Sequence, residues 1–314
     1  MRSAGWLLAA LAALLGAPEA QALAPRAMWT WESATYELLR QPAATDPFIA
    51  FAHAHGISTV YLYADRYHDH NLIVERPELY RHLIQELRAA GIATYALLGS
   101  ADLHTEAYVL PEHRAEARAM LDRVIAYNAD SRPEERFAGL NIDIEPYILD
   151  AWATDRSALL NDYLDLSADL MERVRASRQS LLVGPALPFW WDDLEVEWHG
   201  RRAPMAEHVL GLYDYAALMD YRNHADGRDG LLSLARGTLD LAARLHRPIV
   251  LGVEIADNAI PKITFHPLAP ADLERELARA EAALAKDPAF AGFAIHHYSA
   301  YRDWLKVDRP RPPK

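Results

Sequence analysis

The sequence predicts a parallel (β/α)8 TIM barrel, because eight short apolar runs alternate with longer amphipathic ones along most of the chain. The apolar runs lie at residues 27–31, 58–64, 93–98, 140–145, 181–186, 217–221, 248–254 and 292–297. The helical patterns between them lie at 46–55, 77–90, 112–127, 155–177, 231–245 and 271–286. A doubly wound open sheet is the alternative, but it usually has a glycine-rich first turn, and here Trp29 and Trp31 occupy that position.

The chain of 314 residues begins with the pattern of an export signal. Arg2 precedes an apolar run at 6–15, and small residues at 20 and 22 form a cleavage site, so we expect a signal peptide over residues 1–22. An uncleaved membrane anchor is the alternative, but the run is shorter than the roughly 20 residues that span a bilayer. We therefore expect a secreted or periplasmic protein without stable membrane insertion after cleavage, with one barrel domain at 23–306 and a disordered tail at 307–314.

Composition excludes several classes of function. The chain has no cysteine, which rules out disulfides, thiolate metal sites, a cysteine nucleophile and a thioether-linked lipid anchor. The net charge of -12, with no basic run, argues against a nucleic-acid partner. No sequence pattern predicts a cofactor, and we expect none.

The fourth predicted strand carries acids on one face. Alternate residues of a strand point to the same side, so Asn141, Asp143 and Glu145 share a face, while the isoleucines between them line the other. Polar side chains on an apolar strand are costly unless they are paired or hydrated. Pro146 ends the predicted strand, which places Glu145 at the rim of the barrel, where catalytic residues of this fold lie.

Other chemically active side chains follow the remaining strands at the same end. They are Trp29 and Trp31 on strand one, Trp190 and Trp191 after strand five, Tyr221 and Arg222 on strand six, Glu254 on strand seven, and His297 and Tyr298 on strand eight, with Tyr147 beyond strand four. Flat aromatic faces beside carboxylates suit sugar rings, so we expect an oligo- or polysaccharide ligand. Core packing is the alternative for each of these tryptophans, and structural ion pairing is the alternative for Glu254.

Histidines offer only weak patterns for a metal site, and we expect no metal. His296 and His297 are neighbours on a strand, so we expect only one of them to point inward. His68 and His70 could hold a metal with Asp69, although a solvated loop is the simpler interpretation.

The stretch GLNIDIE at residues 139–145 resembles the strand-four signature D-G-x-D-x-D-x-E of family 18 glycoside hydrolases, the chitinase-like barrels. The resemblance implies that Glu145 is the general acid and that Asp143 orients a substrate N-acetyl group, which itself attacks the anomeric carbon. Met219 and Tyr221 resemble the strand-six M-x-Y-D of that family, in which the tyrosine helps to hold the N-acetyl group. Order and spacing agree over most of the chain.

Several positions depart from this pattern. The first two motif aspartates are Ala138 and Asn141, and Arg222 replaces the aspartate after the strand-six tyrosine. Glu145 followed by proline, together with Glu254, also resembles a second barrel clan in which a strand-seven glutamate is the nucleophile. We expect a glycosidase in which Glu145 protonates the leaving oxygen and Asn141 and Tyr221 position substrate. A carbohydrate-binding barrel without turnover and a metal-dependent amide or ester hydrolase are the alternatives.

Overall fold

The computed structural model describes residues 24–307, and within them eight parallel strands close into a barrel. In chain order the strands are β1 Arg26–Thr30, β2 Ile57–Tyr63, β3 Ala93–Leu98, β4 Gly139–Ile142, β5 Leu182–Pro188, β6 Glu195–Trp198, β7 Arg201–Pro204, β8 Ala216–Met219, β9 Ile249–Glu254 and β10 Phe290–His296. The barrel order is β1-β2-β3-β4-β5-β8-β9-β10, and β6 pairs with β7 in a separate antiparallel hairpin. The predicted fold class and all eight barrel strands are confirmed.

Helices surround the barrel. They are α1 Glu32–Arg40, α2 Thr45–Ala54, α3 Leu72–Glu75, α4 Pro77–Ala89, α5 Arg114–Ala129, α6 Trp152–Ser177, α7 Met205–Leu212, α8 Leu231–Leu234, α9 Arg236–Leu245, α10 Pro270–Leu284 and α11 Tyr298–Lys306. The pattern at 231–245 is split between α8 and α9. Sequence analysis missed α1, α3, α7 and α11, which have at most nine residues each and give too few turns for a clear periodicity.

The strands separate two apolar layers. Leu140, Ile142 and Ile144 face outward into the large core between strands and helices, whereas Trp29 and Tyr61 belong to a smaller core inside the barrel. The predicted alternation along the fourth strand is therefore confirmed.

The pairing of β4 ends earlier than predicted. Leu98, the last residue of β3, pairs with Ile142, and Asp143 adds one hydrogen bond from its N–H to the carbonyl oxygen of Leu98 at 2.6 Å. Gly99 then turns away with φ +134°, and a Cβ there would lie 2.0 Å from the carbonyl oxygen of Asp143. Asp143 and Glu145 thus follow the strand and stand free of the ladder.

The termini lie beyond the described part of the chain. The predicted signal peptide at 1–22 falls outside the described residues, as does the predicted tail from 308 onward. Within residues 24–307, no helix combines the length and apolar character needed to cross a bilayer.

Candidate active site

A cleft of about 390 Å³ opens at the carboxyl ends of the barrel strands. Its walls are formed by Trp31, Glu32, Ser100, Ala101, Asp102, Thr105, Glu106, Asp143, Glu145, Ile148, Met219, Tyr221, His296 and His297. The volume is that of a small-molecule pocket, and the location is the one used by active sites of this fold. Of the thirteen site residues predicted from the sequence, the cleft brings together Asp143, Glu145, Tyr221, Trp31 and His297.

Asp143 and Glu145 form the acidic centre of the cleft. Burial, followed by the charges of Glu145 and Glu32, raises the pKa of Asp143 well above its usual range, and its buried Oδ1 has no hydrogen-bond partner among the described residues. Burial also raises the pKa of Glu145, while a hydrogen bond donated by the Tyr147 hydroxyl to Oε1 of Glu145 opposes that shift. Two neighbouring carboxyl groups in a desolvated site favour holding one proton between them. The centre can therefore offer a proton at a pH at which exposed carboxyl groups have lost theirs.

Tyr221 lines the cleft beyond the end of β8. Burial, followed by the charges of Glu254, Asp143 and Glu145, raises the pKa of Tyr221 well above its usual range. A phenol that stays protonated beside carboxylates is a hydrogen-bond donor for an oxygen of a ligand. Tyr221, which the sequence analysis expected to position substrate, thus lines the cleft, and its role there stays a prediction.

Glu254 contacts the cleft through His296. Its Oε2 lies 2.8 Å from Nδ1 of His296, and its Oε1 accepts backbone N–H groups of Ile255 and Ala256 at 2.8 and 2.7 Å. The indole Nε1–H of Trp31 donates to Nε2 of His296 at 2.9 Å. The two contacts, one on each ring nitrogen, fix the orientation of the His296 ring between Trp31 and Glu254.

Both adjacent histidines line the cleft, so the expectation that only one would point inward is wrong. The alternation rule holds only within a strand, and β10 ends at His296, whereas His297 is the residue that precedes α11. Burial and the charge of His296 lower the pKa of His297 to about 4, although the charge of Glu254 opposes this shift. His297 is accordingly uncharged near neutral pH.

Two predicted site residues lie beneath the cleft. Asn141 is fully buried, and its Oδ1 accepts the indole N–H of Trp29 at 2.9 Å. Its amide group lies 3.5 Å from the hydroxyl oxygen of Tyr215. Asn141 and Trp29 thus fill the barrel interior, and the expectation that Asn141 contacts substrate is not met because the side chain does not reach the cleft.

Three further predicted ligand contacts are contradicted by burial. Trp191 has no exposed surface, and Tyr298 packs edge-on against Phe48 with ring centroids 4.7 Å apart. Arg222 is directed away from the cleft, since its guanidinium group binds Asp229 at 2.8 and 2.9 Å. Trp191 packs edge-on against Tyr163 with ring centroids 5.1 Å apart, although its buried indole N–H has no hydrogen-bond partner in the described structure. All three side chains are thus placed by contacts within the protein.

Tyr147 and Trp190 are half-buried at the edge of the site. Their rings pack edge-on with centroids 5.5 Å apart, and Trp152 extends the cluster at 5.9 Å from Trp190. Neither Tyr147 nor Trp190 lines the cleft itself. The cluster contacts Glu145 through the hydroxyl of Tyr147, which donates a hydrogen bond to Oε1 of that carboxyl group.

Sequence analysis missed three acids that follow β1 and β3 and line the cleft. Glu32 is the first residue of α1, and Asp102 and Glu106 follow β3. None lies on a strand, so strand alternation gives no indication of their direction. The signal available was their position shortly after a predicted strand end, at the face where this fold builds its sites.

No residue cluster in the described part of the chain has the arrangement of a metal site. Among residues 24–307, no group of three or more His, Asp or Glu side chains is placed to hold an ion. His68, Asp69 and His70 are exposed in the loop after β2, where His70 pairs with Glu75 at 3.0 Å.

Comparison with known proteins gives similarity in structure but not in sequence. No protein-family model matches the chain, and no curated protein sequence matches it. A GH18 chitinase from Cycas revoluta, in complex with (GlcNAc)3, has a similar structure with TM-score 0.52 and 13% identity, covering 89% of this chain and 96% of the chitinase. A chitinase from Chromobacterium violaceum gives TM-score 0.49 and 15% identity, covering 90% and 98%. The spore cortex-lytic enzyme SleL from Bacillus megaterium gives 0.49 and 12%, covering 90% and 72%.

The chain therefore has the barrel fold of GH18 chitinases in a divergent form. The fold implied by the strand-four resemblance is confirmed.

Proposed function

We propose that this protein is a secreted glycoside hydrolase that cleaves a glycosidic bond of an oligo- or polysaccharide, with Glu145 as the general acid. The observation that carries the proposal is the pair Asp143 and Glu145, both with raised pKa, in the wall of a cleft at the carboxyl end of the barrel. A general acid must hold its proton at the working pH and release it to the leaving oxygen, which requires such a shift.

The remaining cleft residues suit the same chemistry. Tyr221 donates to a substrate oxygen, and the pair Asp143 and Glu145, which shares one proton, retains negative charge beside the sugar ring as positive charge develops there. Glu254 is the weaker candidate for a nucleophile, since both its oxygens are hydrogen-bonded and it is not part of the cleft wall. We assign it the role of positioning His296.

A carbohydrate-binding barrel without turnover is the second candidate. It is favoured by Asn141, which replaces an aspartate of the resembled motif and is committed to Trp29. Of the four acids in the resembled strand-four motif, only Asp143 and Glu145 are present on this strand. Cleavage by the purified protein separates the two candidates.

The decisive test compares wild type with Glu145→Gln on chitin-type, peptidoglycan-type and β-glucan-type oligosaccharides. Glutamine keeps the shape but holds no acidic proton, so we expect the rate on the cleaved substrate to fall by about 10²–10⁴, while binding of that oligosaccharide persists. Glu197→Gln, an exposed glutamate of β6, is the matched control and should leave the rate unchanged. Equal rates for wild type and Glu145→Gln would refute the assignment, and binding by wild type without cleavage would favour the second candidate.

Export is tested separately. Residues 1–22 have the order of a cleaved signal peptide, so protein recovered from its native cell should begin near Leu23 and be found outside the cytoplasm. N-terminal sequencing that finds Met1 retained would contradict this part of the proposal and leave the activity untouched.

A further inference from the structure

The wall of the cleft is strongly acidic. Five carboxylate residues line it, namely Glu32, Asp102, Glu106, Asp143 and Glu145, and within residues 24–307 no lysine or arginine does. The histidines of the wall do not balance these acids, because His296 is paired with Glu254, a further carboxylate outside the wall, and His297 is uncharged near neutral pH. A cleft of this kind attracts a positively charged ligand and repels an anionic one.

We call Glu32, Asp102 and Glu106 the outer acids, and two of them influence the pKa values of the central pair, Asp143 and Glu145. The charge of Glu32 contributes to the raised pKa of Asp143, and that of Glu106 contributes to the raised pKa of Glu145. Within the described residues, neither Glu32 nor Asp102 forms an ion pair, and the partner of Glu106 is the exposed His104 at 3.2 Å. These carboxylates are thus not neutralised by the protein.

A second observation indicates that the centre of the cleft lacks a donor. Oδ1 of Asp143 is buried and has no hydrogen-bond partner in the described structure, although a buried carboxyl oxygen normally has one. A ligand that brings N–H groups with positive charge would satisfy both the unpartnered oxygen and the uncompensated acids around it.

We propose that the substrate is a glycan that carries free amino groups, that is, a hexosamine polymer from which N-acetyl groups have been removed at some or all sugars. The inference rests on the proposed glycosidase function and specifies its substrate class. Ammonium groups of such a glycan bind Glu32, Asp102 and Glu106, while the sugar ring at the cleavage point faces Asp143 and Glu145. Glycans with carboxylate or sulfate groups are excluded by repulsion.

The test measures binding of two tetrasaccharides with the same β-1,4 backbone, one of N-acetylglucosamine and one of glucosamine, to Glu145→Gln by calorimetry, with a chelator present. We expect the glucosamine tetramer to bind about tenfold or more tightly at low salt, since several carboxylate–ammonium pairs each contribute about two- to fivefold. Raising the salt to roughly 0.5 M should reduce the ratio because screening weakens such pairs. Wild-type cleavage of both tetramers is followed in parallel.

Variants of the outer acids locate the effect. Glu32→Gln and Asp102→Asn should each lower the glucosamine-to-N-acetylglucosamine affinity ratio by about two- to fivefold. Glu37→Gln, on the exposed side of the same helix as Glu32, makes the same change of charge outside the cleft and should leave the ratio unchanged.

The outcomes separate this inference from the function on which it rests. If wild type cleaves the N-acetylated tetramer and the glucosamine tetramer binds no more tightly, the amino-glycan inference is overturned and the glycosidase stands. A preference that Glu32→Gln and Asp102→Asn leave intact would also overturn it. If neither tetramer binds or is cleaved, and the other oligosaccharide types are also untouched, both proposals fail together.

Discussion

The two ends of the barrel differ in whether the charged groups of their cavity walls have partners within the protein. At the amino ends of the strands, a cavity of about 200 Å³ has only two charged residues in its wall, Arg26 and Asp214, and both have partners. The terminal nitrogens of Arg26 bind Glu274 at 2.7 and 2.9 Å, although its buried Nε has no hydrogen-bond partner in the described structure. Oδ2 of Asp214 accepts the N–H of Val183 at 2.9 Å. The larger cleft at the carboxyl ends has five acids in its wall and an unpartnered oxygen at its centre. Charges that are compensated within the protein serve stability, whereas acids left without a counter-charge are available to a ligand.

Aromatic rings close the floor and fill the barrel up to the cleft. The rings of Tyr61 and Trp29 lie 5.1 Å apart, those of Tyr61 and Tyr95 lie 6.0 Å apart, and those of Tyr95 and Tyr215 lie 5.8 Å apart. The hydroxyl of Tyr215 donates to the carbonyl oxygen of Leu140 at 3.0 Å, on the strand that leads to the acids. The interior is therefore a packed column that supports the site from beneath.

The largest effect should come from removing a ring of this column. Tyr61 is 1% exposed, so Tyr61→Ala should leave a cavity and lower the free energy of unfolding by about 3–5 kcal/mol. Tyr61 does not line the cleft, so folded protein at low temperature should still bind oligosaccharide. Denaturant unfolding and ligand titration measure the two quantities. A small loss of stability with a large loss of binding would contradict the assignment of Tyr61 to stability rather than to ligand binding.

The barrel could be predicted because its physical basis is local. Parallel strands buried on both faces produce short apolar runs, and the helices that cover them produce amphipathic ones, so each element is visible in its own window of sequence. The hairpin of β6 and β7 was missed because charged residues dominate it, including Glu195, Arg201 and Arg202. Its position outside the barrel requires no apolar run.

Residues of the candidate site could be predicted only where they lie at or just beyond the end of a strand. Asp143, Glu145 and Tyr221 follow from alternation beyond a strand end, and the structure places all three in the cleft. The direction of a loop residue depends on tertiary contacts, so Trp191 was expected at a ligand and lies in the core. Glu32 was missed for the same reason. Its direction is set by α1, which was not apparent from the sequence.

A smaller effect, with activity and stability changing in opposite directions, is expected at the centre of the cleft. Asp143→Asn removes the carboxyl group with which Glu145 shares a proton, and we expect the rate on a cleaved oligosaccharide to fall by about 10- to 100-fold, within the range of acid–base contributions. The interaction between the two carboxyl groups is mutual, so loss of the charge should also lower the pKa of Glu145. The alkaline limb of the pH–rate profile, which reports loss of the acid proton, should therefore move to lower pH.

Stability should rise where activity falls. The pKa of Asp143 is raised in the folded protein, so between its unfolded value near 4 and its folded value the native state binds more protons than the unfolded state. Stability contributed by this group is therefore complete below about pH 4 and is lost as the pH rises through that window. The asparagine side chain does not titrate, so Asp143→Asn should match wild type in stability at about pH 3 and exceed it at about pH 7, with a higher melting temperature and lower activity. Thermal unfolding at both pH values measures the difference. If the variant is less stable than wild type at the higher pH, Asp143 is a satisfied structural acid like Asp214, and the contrast between the two ends of the barrel fails at its central residue.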